Sequence, residues 1–221
     1  MLSYTLPPPV YRTKEANVYE VLRQAILRGE LKPGEKLVID RLAADLKVSP
    51  LPVRSALQHL QAEGLVQITP YASAVVSEIS WEMIDEIFTL LEHLEAMACI
   101  GVAGHAGRHD FGPLAVLADE MDAALARPDV EAYSELNSRF HRMIAEMTGR
   151  RLLIEFTARA LDNWDRLRRL YLDQVFSPRM PLAQAEHRQI LARLKAGDTA
   201  KLADLIALHN RGALEAYRKL R

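Results

Sequence analysis

Asn137, His141, His187 and His209 are the residues of this 221-residue chain whose types and spacing best suit chemistry. Asn137 and His141, in YSELNSRFHRMI, are four positions apart in a stretch of helical periodicity, so both side chains leave one face of one helix. His187, in AEHRQILARLKAGD, and His209, in LADLIALHNRG, fall in two later helical stretches. Three imidazoles and an amide oxygen, brought together from three helices of a bundle, can hold a divalent cation with positions left for water or a ligand. The same four groups can instead line a polar, metal-free pocket, and single histidines on helices are often surface or hydrogen-bonded core residues. A metal held this way also admits a metal-dependent hydrolase or lyase, which needs a general base beside a metal-bound water. The carboxylates nearest in sequence, Glu146 and Glu186, are not expected to face inward, so the enzyme stands as the alternative.

The elements that must position these groups are helical. From Ser80, a candidate helix cap, the spacing predicts about six helices over 80–105, 112–126, 128–147, 150–175, 181–196 and 198–219. Gly107, Gly112-Pro113, Arg127-Pro128, Gly149, Ser177-Pro178 and Gly197 punctuate them, and turns this short favour an antiparallel bundle. Leu152, Phe156, Trp164, Leu167 and Tyr171 form a stripe that can line a pocket or simply be core. Arg139, Arg142, Arg159, Arg166 and Arg188 lie in helices, and none is assigned to a pocket. Cys99, the single cysteine, excludes an internal disulfide and reads as a small buried hydrophobe.

Residues 1–79 differ in pattern. A proline-rich arm, 1–12, contains Pro7, Pro8 and Pro9. A first helix runs from about Asn17 to Gly29, and a short helix over Asp40–Leu46 is followed by another from Ser49 to Gly64. Ser49 can cap that helix, and Pro50 and Pro52 fall at its first and third positions, where prolines are tolerated. Its inner face is Val53, Ala56, Leu57 and Leu60, and Arg54, Gln58 and Gln61 form an outer polar stripe. Two β-prone runs, Leu65–Ile68 and Ala74–Ile79, complete a hairpin, or wing. The fold class is therefore mainly α: a winged helix-turn-helix over 13–79 and an all-α antiparallel bundle over 80–221.

Composition limits the partners. The net charge is -1, and residues 1–79 hold nine Lys and Arg against eight Asp and Glu, so any nucleic-acid binding rests on placement rather than bulk charge. No apolar run reaches the roughly 18 residues of a membrane span, and the start lacks the apolar core of a signal peptide, so a cytoplasmic protein is expected.

The segment LKPGEKLVIDRLAADLKVSPLPVRSALQHLQAEGLVQI resembles the winged helix-turn-helix of GntR-type bacterial regulators, through Pro33-Gly34, Leu42-Ala43, Val48-Ser49, Pro52-Val53-Arg54 and Glu63-Gly64-Leu65-Val66. The resemblance implies that Ser49 and Arg54 contact DNA, with Leu51, Gln58 and Arg41 completing the candidate set. Arginine can grip a guanine edge or a phosphate through two donors, and a helix N-terminus attracts phosphate. Pro50, Asp40 and Ala72-Ser73 replace basic or wing residues common in that family, and Lys47 stands where a glycine normally ends the first helix of the pair. The three histidine segments resemble the FCD domain of the FadR subfamily, in its shorter, VanR-like group. That resemblance implies one divalent metal, zinc or nickel, held by Asn137, His141, His187 and His209. Asn137 stands where the family has an aspartate, which removes a negative charge and should lower metal affinity. It further implies a ligand-responsive transcription regulator, usually a repressor. Its partners would be double-stranded DNA carrying an inverted repeat, a small organic acid effector and a second copy of itself.

Overall fold

The computed structural model describes residues 13–69, 73–127 and 129–221. The arm with Pro7, Pro8 and Pro9, the wing tip at Ala72 and the turn residue Pro128 lie outside the described residues. The chain divides into two compact units, Met1–Ser80 and Trp81–Arg221.

In the first unit, α1 (Lys14–Leu27) starts where the Thr13 hydroxyl accepts the Ala16 amide at 3.2 Å. Its buried face, Val18, Leu22, Ala25 and Ile26, packs on α3 (Pro50–Ala62) through Val53, Leu57 and Leu60. Glu63, at the end of α3, accepts from Tyr19 and Arg23 of α1 and ties the two helices together. Between them lies α2 (Ile39–Asp45), and the turn from α2 to α3 contains Lys47 at φ 55. Lys47 is the one non-glycine residue with a left-handed backbone among the described residues.

Ser49 occupies the N-cap of α3 with an extended backbone, but its hydroxyl makes no capping hydrogen bond, which corrects the sequence reading. A cap accepts from the second or third helical amide, and Pro52 at the third position has none to give. The wing is a three-stranded antiparallel sheet of β1 (Lys36–Leu37), β2 (Val66–Thr69) and β3 (Ser73–Val76) in the order β1-β3-β2. Val66 stands opposite Val76, and Leu37 opposite Ala74. The two-residue β1 is too short to show alternation, so sequence periodicity missed it.

The second unit contains six α-helices among the described residues: α4 (Trp81–Ala103), α5 (Gly112–Ala126), α6 (Val130–Met147), α7 (Arg151–Leu170), α8 (Ser177–Ala196) and α9 (Thr199–Arg218). α4 packs against α6, α7, α8 and α9 and buries Ile84, Phe88, Leu91, Ala98 and Val102. Cys99 is buried in the same face, and burial pushes its thiol up, which keeps it a neutral core group. Sequence periodicity continues one helix over 150–175. Instead α7 ends at Leu170, Tyr171 leaves helical geometry at φ -124, and Leu172–Phe176 form a π-helical turn that runs straight into α8. Pro178 is tolerated in the first turn of α8, and Pro181 inside it costs one backbone hydrogen bond. The prolines that suggested a break are therefore absorbed. No helix among the described residues is long and apolar enough to cross a membrane.

Candidate functional site

The three histidines lie on the buried stripes of α6, α8 and α9, His141 with Asn137, Phe140 and Ile144, His187 with Gln184 and Ile190, and His209 with Leu205 and Ile206. Burial of these stripes is what brings the imidazoles together. One ligand atom from each histidine lies within 4.8 Å of the others. Nε2 of His141 and Nε2 of His187 are 3.2 Å apart, and the ring centroids of His187 and His209 are 4.7 Å apart.

The opposite ring nitrogens are each engaged. His141 Nδ1 lies 2.9 Å from Glu95 on α4, and His209 Nδ1 lies 2.6 Å from Glu186 on α8. His187 Nδ1 lies 3.3 Å from Oε1 of Gln184. The Gln184 amide nitrogen donates to the Ala118 carbonyl at 2.9 Å and to Asp122 at 2.7 Å, so its oxygen is the group turned to His187. Every acceptor therefore places a proton on Nδ1 and leaves the Nε2 lone pair for the cluster centre. Two lone pairs facing each other at 3.2 Å repel unless a proton or a metal ion stands between them. Two nitrogens on one tetrahedral zinc would be separated by about 3.3 Å, from zinc–nitrogen distances of about 2.0–2.1 Å. The donor set thus fits a divalent metal, and the carboxylates behind the imidazoles supply orientation and negative charge.

The electrostatics agree with this placement. Burial, reinforced by its neighbours His209, His141 and Arg179, holds His187 well below the ordinary imidazole range, so its lone pair is available near neutrality. Burial also lowers His209, against the opposing pull of Glu186. Burial alone would raise Glu95, but the His141 imidazole beside it and the amide donated by Asn210 at 2.8 Å hold the carboxyl below its ordinary range. Glu186 is lowered in the same way by His209 and Arg179, against its burial.

Glu186, read from sequence as not facing inward, is buried and bonded to His209, whereas Glu146 is exposed as expected. Asp129 caps α6 and so fixes the helix that carries both Asn137 and His141.

Asn137 and His209 also line a small cavity, together with Trp164, Phe176, Arg179 and Tyr217. Val175 and Phe176 of the π-helical turn form part of its wall. Of the stripe read from sequence, Trp164 reaches this wall and Leu167 is core, whereas Leu152 and Phe156 are 56% and 51% exposed. The cation here is Arg179, which sequence reasoning missed because Pro178 and Pro181 made its segment look like a turn. Arg142 pairs with Asp162, Arg159 with Glu155 and Arg188 with Asp119 and Asp122. Arg139 is exposed and Arg166 buried, and neither lines the cavity.

In the first unit, Leu51, Arg54 and Gln58 lie on the exposed face of α3, with Leu51 70% exposed, and Ser49 stands at its N-terminus. The exposed leucine and arginine side by side on this face are of the kinds that meet thymine methyls and guanine edges or phosphates in a DNA groove. Arg41 on α2 is exposed, with its Nε 3.9 Å from Asp45, a loose pair that leaves it extended toward solvent. Asp40 falls in the first turn of α2, where its charge favours the helix dipole.

Comparison with known proteins assigns both units. Residues 86–212 match the FCD domain, and residues 14–76 match the bacterial regulatory proteins of the gntR family. The chain is 29% identical to an uncharacterized HTH-type transcriptional regulator in an unstable DNA locus of Streptomyces ambofaciens, covering 95% of this chain and 87% of that protein. Among solved structures, McbR/YncC of E. coli superposes with a TM-score of 0.79 at 22% identity, covering 95% of this chain and all of that one (100%). A putative transcriptional regulator GntR from Rhodococcus sp. RHA1 gives a TM-score of 0.78 at 25% identity, over 95% and 100% of the two chains.

Proposed function

The chain belongs to the gntR family of bacterial regulatory proteins and carries an FCD domain, so it is a DNA-binding transcription regulator and not an enzyme, and from that premise we propose that it is a metal-containing repressor released by a small organic acid. The observation that carries this reading is the histidine cluster, in which one ring nitrogen of each histidine lies within 4.8 Å of the others and Nδ1 of each is held by Glu95, Gln184 or Glu186. His141, His187 and His209 would hold a zinc or nickel ion, with Asn137 in the adjoining wall. When bound, the metal supplies a Lewis-acidic anchor for an anionic ligand.

The chain's own residues do the rest. Arg179, held by Glu186 and the His209 carbonyl, places its guanidinium in the cavity wall beside the rings of Trp164 and Phe176. In the first unit, α3 enters the major groove of DNA, with Arg54, Gln58 and Leu51 at base edges and Ser49 and Arg41 at phosphates. Two copies read an inverted repeat, with recognition helices about 34 Å apart. The effector acts only by binding one arrangement of the DNA-binding units more tightly than another. This is a cytoplasmic task.

A gel-shift of the full chain against the DNA upstream of its own gene, with and without zinc and a panel of organic acids, tests the reading. A retarded complex with a two-fold-symmetric footprint that weakens with an acid supports it. Absence of any sequence-selective complex overturns it.

A further inference from the structure

We propose that the ammonium of Lys47 grips a phosphate of the DNA backbone beside the start of α3, and that the chain keeps a lysine in a left-handed turn for that contact. The proposal rests on the reading above that α3 enters the major groove, and it adds to that interface a residue outside the set read from sequence.

The turn after α2 leaves the backbone of Lys47 no other conformation. The Lys47 amide donates to the Ala44 carbonyl at 3.2 Å and the Val48 amide to the Ala43 carbonyl at 3.0 Å, the paired bonds that close a helix through a left-handed residue. Leu46 is buried and Val48 packs against the core of the unit, so both neighbours of Lys47 are pinned. Three other helices close with the same two bonds, α1 at Gly29, α3 at Gly64 and α8 at Gly197, with φ 70, 74 and 66. Lys47 takes that place at φ 55, where its Cβ crowds the backbone and a glycine would not. Nothing inside the protein offsets this strain. The side chain is exposed, and among the described residues no ion pair or side-chain hydrogen bond engages its ammonium. Asp45, two positions earlier, faces Arg41 instead, whose Nε is 3.9 Å away. Strain kept without an internal partner points to a group outside the protein that uses the side chain.

Position and charge identify that group. Lys47 stands two residues before Ser49, the N-cap of α3, and the next exposed side chains along α3 include Leu51 and Arg54. In a helix-turn-helix the second helix fills the groove and the first lies across the backbone, so the turn that joins them is set beside the phosphates. From Ile39 to Ala62 the Lys and Arg residues are Arg41, Lys47 and Arg54, against Asp40 and Asp45. With nine Lys and Arg against eight Asp and Glu over residues 1–79, bulk charge contributes little, and each of these three weighs heavily toward a polyanion. An ammonium is a point charge on a flexible stem, which suits a phosphate better than the paired acceptors of a base edge. Such a contact strengthens binding to any duplex and carries no sequence preference of its own.

The test uses the full-length chain and reads its affinity for the footprinted operator and for a scrambled duplex by fluorescence anisotropy over a salt series, together with its urea midpoint. Lys47→Gln keeps a side chain in the left-handed turn and removes the charge. It should lose about three- to ten-fold in affinity for both duplexes alike, with the slope of log affinity against log salt shallower by about one. Lys47→Arg should keep the parent slope. Lys47→Gly should lose affinity as Lys47→Gln does while its urea midpoint rises, and these opposite signs separate a lost contact from a lost fold. Parent-like affinity and slope in Lys47→Gln overturn the proposal. So does a loss confined to the operator at unchanged slope, which marks a base contact instead. Arg54→Ala separates the proposal from the reading beneath it. If that variant weakens operator binding and Lys47→Gln does not, the recognition helix stands and the lysine contact fails. If Arg54→Ala leaves operator affinity unchanged, the assignment of α3 fails, and the salt slope of Lys47→Gln still decides the phosphate contact. A parent chain that binds neither duplex overturns both.

Discussion

Nε2 of His141 faces Nε2 of His187 across 3.2 Å, with a proton held on the far nitrogen of each ring. A cation between the two Nε2 atoms, a proton or a divalent metal, relieves the repulsion of their lone pairs. We expect the purified chain to carry close to one equivalent of zinc or nickel, and His187→Ala to lose it. Glu95→Gln keeps the shape of the side chain but weakens the grip on His141, and should lower zinc affinity about 10- to 100-fold. Metal content and chelator competition check both, and parent-like zinc affinity in Glu95→Gln would remove the carboxylate from the centre.

Acid should destabilise the metal-free chain in two stages. Burial depresses His187 and His209, and the imidazole of His141 depresses Glu95 against its own burial, so each group binds protons less readily folded than unfolded. Stability from such groups is complete above the unfolded values and is lost as the pH falls, from about pH 6.5 for the histidines and about pH 4.3 for the carboxylates. The urea midpoint should therefore fall between pH 7.5 and 5.5 and fall again below pH 4.5. A midpoint that holds level or rises on acidification would contradict these directions.

Arg54 is exposed on α3 and belongs to no part of the core. Arg54→Ala should cost about 10- to 100-fold in operator affinity and leave the melting temperature unchanged. Fluorescence anisotropy on the footprinted site measures the first and circular dichroism the second. Unchanged operator affinity removes Arg54 from the interface.

Lys47 holds φ 55 between α2 and α3. A side chain in that conformation costs about 1–2 kcal/mol, and a glycine returns about 0.5–1 kcal/mol of it to unfolded-chain entropy, so Lys47→Gly should stabilise the first unit by about 0.5–1 kcal/mol. Urea unfolding decides, and a loss of stability would mean that the lysine side chain has a favourable role there.

Most of the scaffold could be read in the sequence because periodicity reports burial, and burial sets the helices: Val53, Ala56, Leu57 and Leu60 mark the inner face of α3 in both views. The three histidines were legible for the same reason, since each falls on such a stripe. Their partners were not. Glu95 is 115 positions from Asn210, to which it bonds, and no local pattern encodes a meeting of that separation. Arg179 stayed hidden for a different reason: two prolines make its segment look like a loop, yet Pro178 lies where the first-turn amides have no intrahelical partner. Ser49 misled in the opposite direction, because the residue type predicts a cap while Pro52 removes one of the two amides that could use it.

The contact between Glu95 on α4 and Asn210 on α9 also orders events in time. A chain emerging from the ribosome makes α4 before α9, and a contact so distant along the chain forms only after the intervening loop has been closed. Until His209 has been translated, the growing polypeptide holds two imidazoles of the cluster and a Glu186 without its histidine. A product cut short before Thr199 never acquires the third imidazole, so the assembled cluster records that synthesis ran into α9.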